Sequence, residues 1–259
     1  MKKQIARLIC LITLNACCII AYAQKEFYEI RAYRLKSADQ VTATDNYLKD
    51  AYLPAMHRLG IKQIGVFKPI SNDTAAIKMI YVIVPYISLD VWRRSKTNLE
   101  PDLTYESLAK SFTDADTSHL PFIRMESTIL EAFPDQPKLV PTSLKLTPDA
   151  IYEMRSYESP TEKLHRLKVA MFNEGGEIDL FKKLDFQAVF YADVLSGSRM
   201  PNLVYMVVFQ NAAARDEHWK AFGASKEWKK VSTDPQFENN ISVNHIDSIL
   251  MHRTAYSDL

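Results

Sequence analysis

The sequence predicts an α+β protein made of two tandem copies of one β-α-β-β-α-β unit, their sheets packed face to face. Three observations carry this. The stretch Tyr28-Glu29-x-Arg31-x-Tyr33 returns as Tyr152-Glu153-x-Arg155-x-Tyr157, 124 residues later. Further landmarks recur in the same order at nearly that offset: Val66-Phe67 with Val189-Phe190, and Tyr81 with Tyr205. Between them, apolar spacing alternates between the two-residue period of a strand and the 3.6-residue period of a helix.

The first half opens with an aromatic-rich alternating strand over 26–35. Ser37-Ala38-Asp39-Gln40 reads as a capping box: the serine accepts an amide at the helix start and the glutamine reaches back. A helix follows with Val41, Leu48, Ala51 or Tyr52, Ala55 and Leu59 on one face. Pro54 should kink or interrupt it, and Gly60 is a natural left-handed stop. Strands are expected over 63–70 and 77–86. Ser88 then caps a second helical region that Pro101 divides, 113–121 reads as loop, and 123–133 is the fourth strand.

The second half repeats the order. Strand 151–157 runs into Ser159-Pro160-Thr161-Glu162, read as another capping box with proline at the first helical position. The Gly175-Gly176 step breaks that helix, which resumes over 178–184. Strands 186–194 and 203–209 form a hairpin across Ser196-Gly197-Ser198. Asn211 caps the helix bearing Trp219 and Phe222, and strand 241–251 closes the half. The expected organisation is a leader over 1–23, a first domain over 24–134, a proline-rich linker over 135–148 and a second domain over 149–259.

A β-α-β-β-α-β unit is ferredoxin-like, with helices on only one sheet face. The open face must be buried elsewhere. In a tandem pair the two open faces can bury each other, giving a pseudo-dimeric α/β barrel within one chain.

The N-terminus reads as an export signal. Lys2, Lys3 and Arg7 precede an apolar run that ends in Ala21-Tyr22-Ala23, a small-x-small pattern cut after Ala23. The run is too short for a membrane span. Export to the periplasm or medium is expected; the alternative is a lipoprotein anchored at Cys17. All three cysteines, Cys10, Cys17 and Cys18, lie in this leader, so the mature chain must be stable without disulfides. Its length allows that. The leader holds three of the 32 Lys and Arg and none of the 31 Asp and Glu, which leaves the remainder at net −2. Interspersed, nearly balanced charge offers no electrostatic footprint for nucleic acid, and no later stretch is apolar enough to span a bilayer. Self-association stays open.

Several chemistries lack their residues. Six glycines form neither a dinucleotide fingerprint nor a P-loop, and there is no Gly-x-Ser-x-Gly elbow. Without a mature cysteine there is no thiol nucleophile, cysteine-bound zinc or iron–sulfur cluster. Glu162-x-x-His165 has helical metal-ligand spacing, but one copy is weak and reads as a solvated helix face. His57 sits near a helix C-terminus, where positive charge is favoured. No metal or cofactor is expected. Trp92, Trp219 and Trp228 read as core or helix-docking residues.

The repeated strand is the candidate site. Tyr28, Ile30 and Ala32 share one face, and Tyr152, Met154 and Ser156 share its counterpart. This mostly apolar set is assigned to the helix-covered core. The other face, with Glu29, Arg31, Tyr33, Glu153, Arg155 and Tyr157, is then expected to point into the barrel. Buried charge must be paired and hydrogen-bonded. These six residues therefore either bolt the halves together or bind a small acidic or carbonyl-bearing ligand.

The chain resembles the NIPSNAP family, in its exported two-domain bacterial form. The resemblance rests on Tyr-Glu-x-Arg-x-Tyr in both halves, Tyr52-Leu53-Pro54-Ala55, Gly65-Val66-Phe67-Lys68-Pro69, Met171-Phe172-Asn173-Glu174-Gly175-Gly176-Glu177, Met200-Pro201-Asn202-Leu203 and the Trp219 and Trp228 pair. It implies the dimeric α/β-barrel fold and little about activity; related barrels bind haem. Three functions stand: a small-ligand-binding barrel, a cofactor-independent oxygenase or isomerase, and a non-catalytic assembly protein with a solid barrel. An open lumen separates the first two from the third.

Overall fold

The structure, a computed structural model, describes residues 24–259; the leader reading lies outside them. Among the described residues, eight strands alternate with helices in two β-α-β-β-α-β units. The first contains β1 (Phe27–Leu35), α1 (Ala38–Asn46), α2 (Leu53–Arg58), β2 (Gly65–Pro69), β3 (Lys78–Tyr86), α3 (Leu89–Leu99), α4 (Leu103–Thr113) and β4 (Arg124–Ala132). The second contains β5 (Ile151–Glu158), α5 (Glu162–Phe172), α6 (Glu177–Lys183), β6 (Gln187–Ser196), β7 (Asn202–Phe209), α7 (Ala212–Ala224), α8 (Lys226–Ser232), α9 (Asn239–Ser242) and β8 (His245–Arg253). The strands close in the order β1-β3-β2-β8-β5-β7-β6-β4, all neighbours antiparallel. Each four-stranded sheet meets the other edge to edge, β2 on β8 and β4 on β6. Closure removes the free sheet edges that an isolated unit would leave along these seams.

Local signals explain most boundaries. Ser37, Ser88 and Asn211 each accept the amide three residues on and start α1, α3 and α7. The Gln40 carboxamide reaches back to the amide of Lys36, one residue before the cap. Pro54 does not break its helix. A wider π-turn over Tyr47–Tyr52 absorbs the misfit, with the Leu53 amide donating to Leu48, and Pro54 then falls in the first turn of α2 where no amide is needed. Gly60 adopts φ +81°, a left-handed stop.

Three readings need correction. The cap of α5 is Thr161, whose hydroxyl accepts from Leu164; Pro160 precedes the cap and Ser159 stays in the loop. The last strand starts at His245, because α9 occupies the residues just before it. The offset of the repeat falls to 123 in the central hairpin: Tyr28 pairs with Pro85, and its counterpart Tyr152 pairs with Val208. Tyr81 therefore answers Val204, not Tyr205. In a strand a one-residue slip turns a side chain to the opposite face.

The larger correction concerns which face is which. Tyr33 and Leu35 pack with Tyr52, Met56, Val82 and Val84 beneath the helices of the first domain. Tyr28 and Ile30 pack with Phe67, Tyr152, Met154 and Phe190 inside the barrel. The halves thus meet on Tyr28, Ile30, Ala32 and their counterparts, while the Glu-Arg-Tyr face lies under the helices. The reason is steric and apolar. A closed eight-stranded barrel needs bulky side chains to fill its interior. Two aromatic pairs crossing the domain boundary do this at one end, Tyr28 with Phe190 at 5.1 Å and Phe67 with Tyr152 at 4.7 Å between ring centres. The proline-rich connection is not a free tether. Its Val140 amide donates to Val189 on β6, and Leu139 packs on the barrel core. Among the described residues no helix is long and apolar enough to cross a membrane.

Candidate functional site

All six predicted residues are brought together as two matching clusters, each between a sheet and its own helices. In the first, Glu29 is buried on β1 and accepts from Arg31 at 3.0 Å, Ser127 of β4 at 2.7 Å and Tyr86 of β3 at 3.2 Å. The Arg31 guanidinium lies over the Tyr52 ring at 4.5 Å. Burial works against the Glu29 charge, yet Arg31, the Ser127 hydroxyl and the nearby Lys96 hold its pKa below the usual value.

The second cluster is more heavily built. Glu153 accepts from Arg155 at 2.8 Å, from Arg215 of α7 at 2.7 and 3.0 Å, from the Trp219 indole at 2.8 Å and from Ser248 of β8 at 2.7 Å. Burial again opposes its charge, but these donors win and bring its pKa down to about 2. Arg155 also donates to Tyr157, whose hydroxyl meets that of Tyr205 at 2.9 Å. Each carboxylate is saturated by donors from its own domain. Arg215 bolts α7 to the sheet of the second domain through Glu153, Lys96 of α3 approaches Glu29 to 4.0 Å in the first, and neither cluster joins the halves. A duplicated Glu-x-Arg signals such a bolt as readily as a site, which is why the motif alone could not separate the two.

The open space is on the other face. The aromatic plug fills one end of the barrel, and the other end holds a cavity of about 390 Å3. Strand pairing sorts its lining into layers. The floor is made of two cross-strand pairs, Ile30 with Thr128 on β1 and β4 and Met154 with Ile249 on β5 and β8. Above it stand Ala32, Tyr81, Ser156 and Val204, with the carboxylates of Glu126 and Asp247. The rim includes Arg34, Met79 and Asn202. Arg199 reaches over the rim to Asp247 and lies 3.3 Å from Glu158, and Ser156 and Asn202 bond to each other at 2.8 Å. Burial raises the Tyr81 pKa, so its hydroxyl stays protonated. None of the six predicted residues lines this cavity. A signal for it exists in β3: Ile80, Val82 and Val84 make an unbroken apolar row for the helices, whereas Met79, Tyr81 and Ile83 mix polar and apolar.

The histidines also differ from expectation. His165 is not a solvated helix residue; it is buried, with Nε2 2.7 Å from Asp193 on β6. His57 meets Asp258 at 2.8 Å. Among the described residues, Glu158, His245 and Asp247 bring potential metal-donor atoms within 4.8 Å of one another, and the Arg199 guanidinium already pairs with both carboxylates there.

Comparison with known proteins follows the same division between fold and chemistry. No curated protein sequence matches the chain. A provisionally named monooxygenase from Fusobacterium nucleatum subsp. nucleatum superposes with TM-score 0.55 at 6% identity, covering 89% of this chain and 93% of its own. One from Lactobacillus acidophilus gives 0.55 at 9% identity, covering 88% and 94%. An anthrone oxidase-like protein gives 0.52 at 9% identity, covering 90% and 93%. At such identities the likeness establishes the barrel fold alone. The NIPSNAP family model matches residues 152–258, which contain every strand of the second unit except the first residue of β5. Residues 152–258 thus carry a NIPSNAP domain, the C-terminal one of the two units.

Proposed function

We propose that the barrel lumen binds a small amphipathic molecule and performs no chemistry of its own on it. The observation that carries this is the one-ended cavity. Its volume of about 390 Å3 falls within the range of ligand sites, roughly 300–1,000 Å3. Its floor is apolar apart from Thr128 and its charged groups gather toward the mouth, which suits a molecule with an apolar body and a polar head. The oxidase and monooxygenase names of the fold neighbours favour an enzyme only by analogy. Against that reading, the lumen phenol of Tyr81 is shifted away from neutrality, so it serves as a hydrogen-bond donor and not as a base near pH 7. The six Glu-Arg-Tyr residues act in this reading as helix bolts that keep the barrel rigid.

The test uses anilinonaphthalene sulfonate, an aromatic anion whose fluorescence rises on transfer from water. The wild-type protein should bind it at one saturable site. Ala32→Trp puts an indole into the middle of the lumen and should weaken binding by at least about tenfold while the thermal midpoint stays within a few degrees. Equal binding by a folded Ala32→Trp protein would place the dye elsewhere and sink the proposal.

We also propose that the chain works outside the cytoplasm, on the strength of its basic, apolar and small-x-small leader. Mass spectrometry of the protein from the producing cells should give a chain beginning at Gln24. A lipid-modified chain beginning at Cys17 would replace this with the lipoprotein alternative.

A further inference from the structure

The two halves are related by a pseudo-two-fold axis, yet the lumen mouth is not symmetric. Position 34 at the end of β1 corresponds to position 158 at the end of β5: Arg34 pairs with Met79 and Arg124, and Glu158 pairs with Asn202 and His245, at matching register. One domain thus presents a cation where the other presents an anion. The anionic side is already satisfied, because Arg199 lies 3.3 Å from Glu158 and also bonds Asp247. The cationic side is not. The Arg34 guanidinium approaches Glu126 only to 4.0 Å and makes no hydrogen bond to any group among the described residues. It is exposed and lines the cavity.

We infer that Arg34 anchors the head of the lumen ligand and that this head is a carboxylate; the inference rests on the lumen-binding reading above. A free guanidinium offers a planar fork that matches a carboxylate with two parallel hydrogen bonds. Its place in the outermost layer lets the ligand head keep part of its water while the body enters the apolar lumen. Four residues separate Arg34 from the floor residue Ile30. At about 3.3 Å per residue, reduced by barrel tilt, this leaves room for a body on the order of 10 Å long. The ligand class is therefore a monocarboxylic acid with a medium-length apolar body. The opposite assignment, an ammonium head on Glu126, would place the charge one layer deeper, where its desolvation costs more.

Titrating three probes with the same tail, decanoate, decanol and decylamine, below their micelle concentrations decides this. Wild-type protein should bind decanoate about tenfold more tightly than decanol, the effect of one charge-assisted pair. Arg34→Met should bring decanoate down to the decanol value and leave decanol unchanged. Glu126→Gln, which releases Arg34 from its weak competitor, should tighten decanoate several-fold. Decanoate binding unchanged in Arg34→Met would overturn the inference, as would preferential decylamine binding that Glu126→Gln abolishes; both leave the lumen reading standing. Failure of all three probes to bind, or equal binding by Ala32→Trp, would remove the lumen reading itself.

Discussion

Glu153→Ala is expected to cost about 3–5 kcal/mol, enough to leave a large unfolded fraction at physiological temperature. The side chain is fully buried and accepts from four residues on its own strand, α7 and β8: Arg155, Arg215, Trp219 and Ser248. Removing the carboxylate strands Arg155 in the interior and frees the indole N–H of Trp219. The uncompensated buried charge accounts for most of the loss, and the broken hydrogen bonds add to it. Urea unfolding followed by tryptophan fluorescence measures the loss directly, since Trp219 reports the site. Glu29→Ala should cost less, because among the described residues Arg31 is the single guanidinium bonded to Glu29. Equal stability of Glu153→Ala and wild type would mean that the cluster does not dock α7 to the sheet.

The same carboxylate sets an acid limit. The Glu153 pKa in the folded protein is about 2, below its unfolded value near 4.5. The group binds fewer protons when folded, so its stabilisation is present above pH 4.5 and is lost as pH falls toward 2. Integrated over that interval the shift corresponds to about 3 kcal/mol. In Glu153→Gln this part of the acid dependence should vanish, leaving a flatter stability profile below pH 5.

The duplicated strand discloses the architecture because backbone period and repeat spacing survive in sequence. Ser37, Ser88, Asn211 and Gly60 each carry their structural role in one side chain, or in the lack of one. The site is harder to read. Glu29, Arg31 and Tyr33 alternate with Tyr28, Ile30 and Ala32, and period alone does not say which row faces helices and which faces the other domain. Charge points to the lumen, but Arg215, Trp219 and Ser127 supply the missing partners, and they come from distant elements that no local pattern links to β1 or β5. Arg34 and Asp247 escape a sequence reading for the same reason: their shared mouth exists only once β1, β4, β5 and β8 are in register.

Internal duplication also provides a control for the most deeply buried ion pair. Lys168 and Glu177 meet at 3.1 Å under the helices of the second domain, and both are almost fully buried. Counting from the caps Ser37 and Thr161, the first domain has Thr44 where Lys168 stands, and Leu53 opens α2 where Glu177 opens α6. The fold is therefore built without this pair in one of its two copies. Lys168→Met alone should cost about 3–5 kcal/mol at pH 7, since it leaves the buried Glu177 carboxyl without its partner. Burial already raises the Glu177 pKa against the pull of Lys168, and losing the lysine raises it further. A carboxylate with a raised folded pKa binds protons on folding, so the deficit of Lys168→Met should shrink as pH falls, opposite in sign to the Glu153 effect. The double change Lys168→Met with Glu177→Leu should recover most of the loss and can exceed wild type, because two apolar groups of similar volume avoid both desolvation costs. A double-mutant cycle in urea at pH 7 and pH 5 tests this. Additive losses in the double variant would mean that the two residues stabilise through separate contacts, such as Lys168 with Asn239 and the aromatic rings of Phe172 and Trp228, and not as a pair.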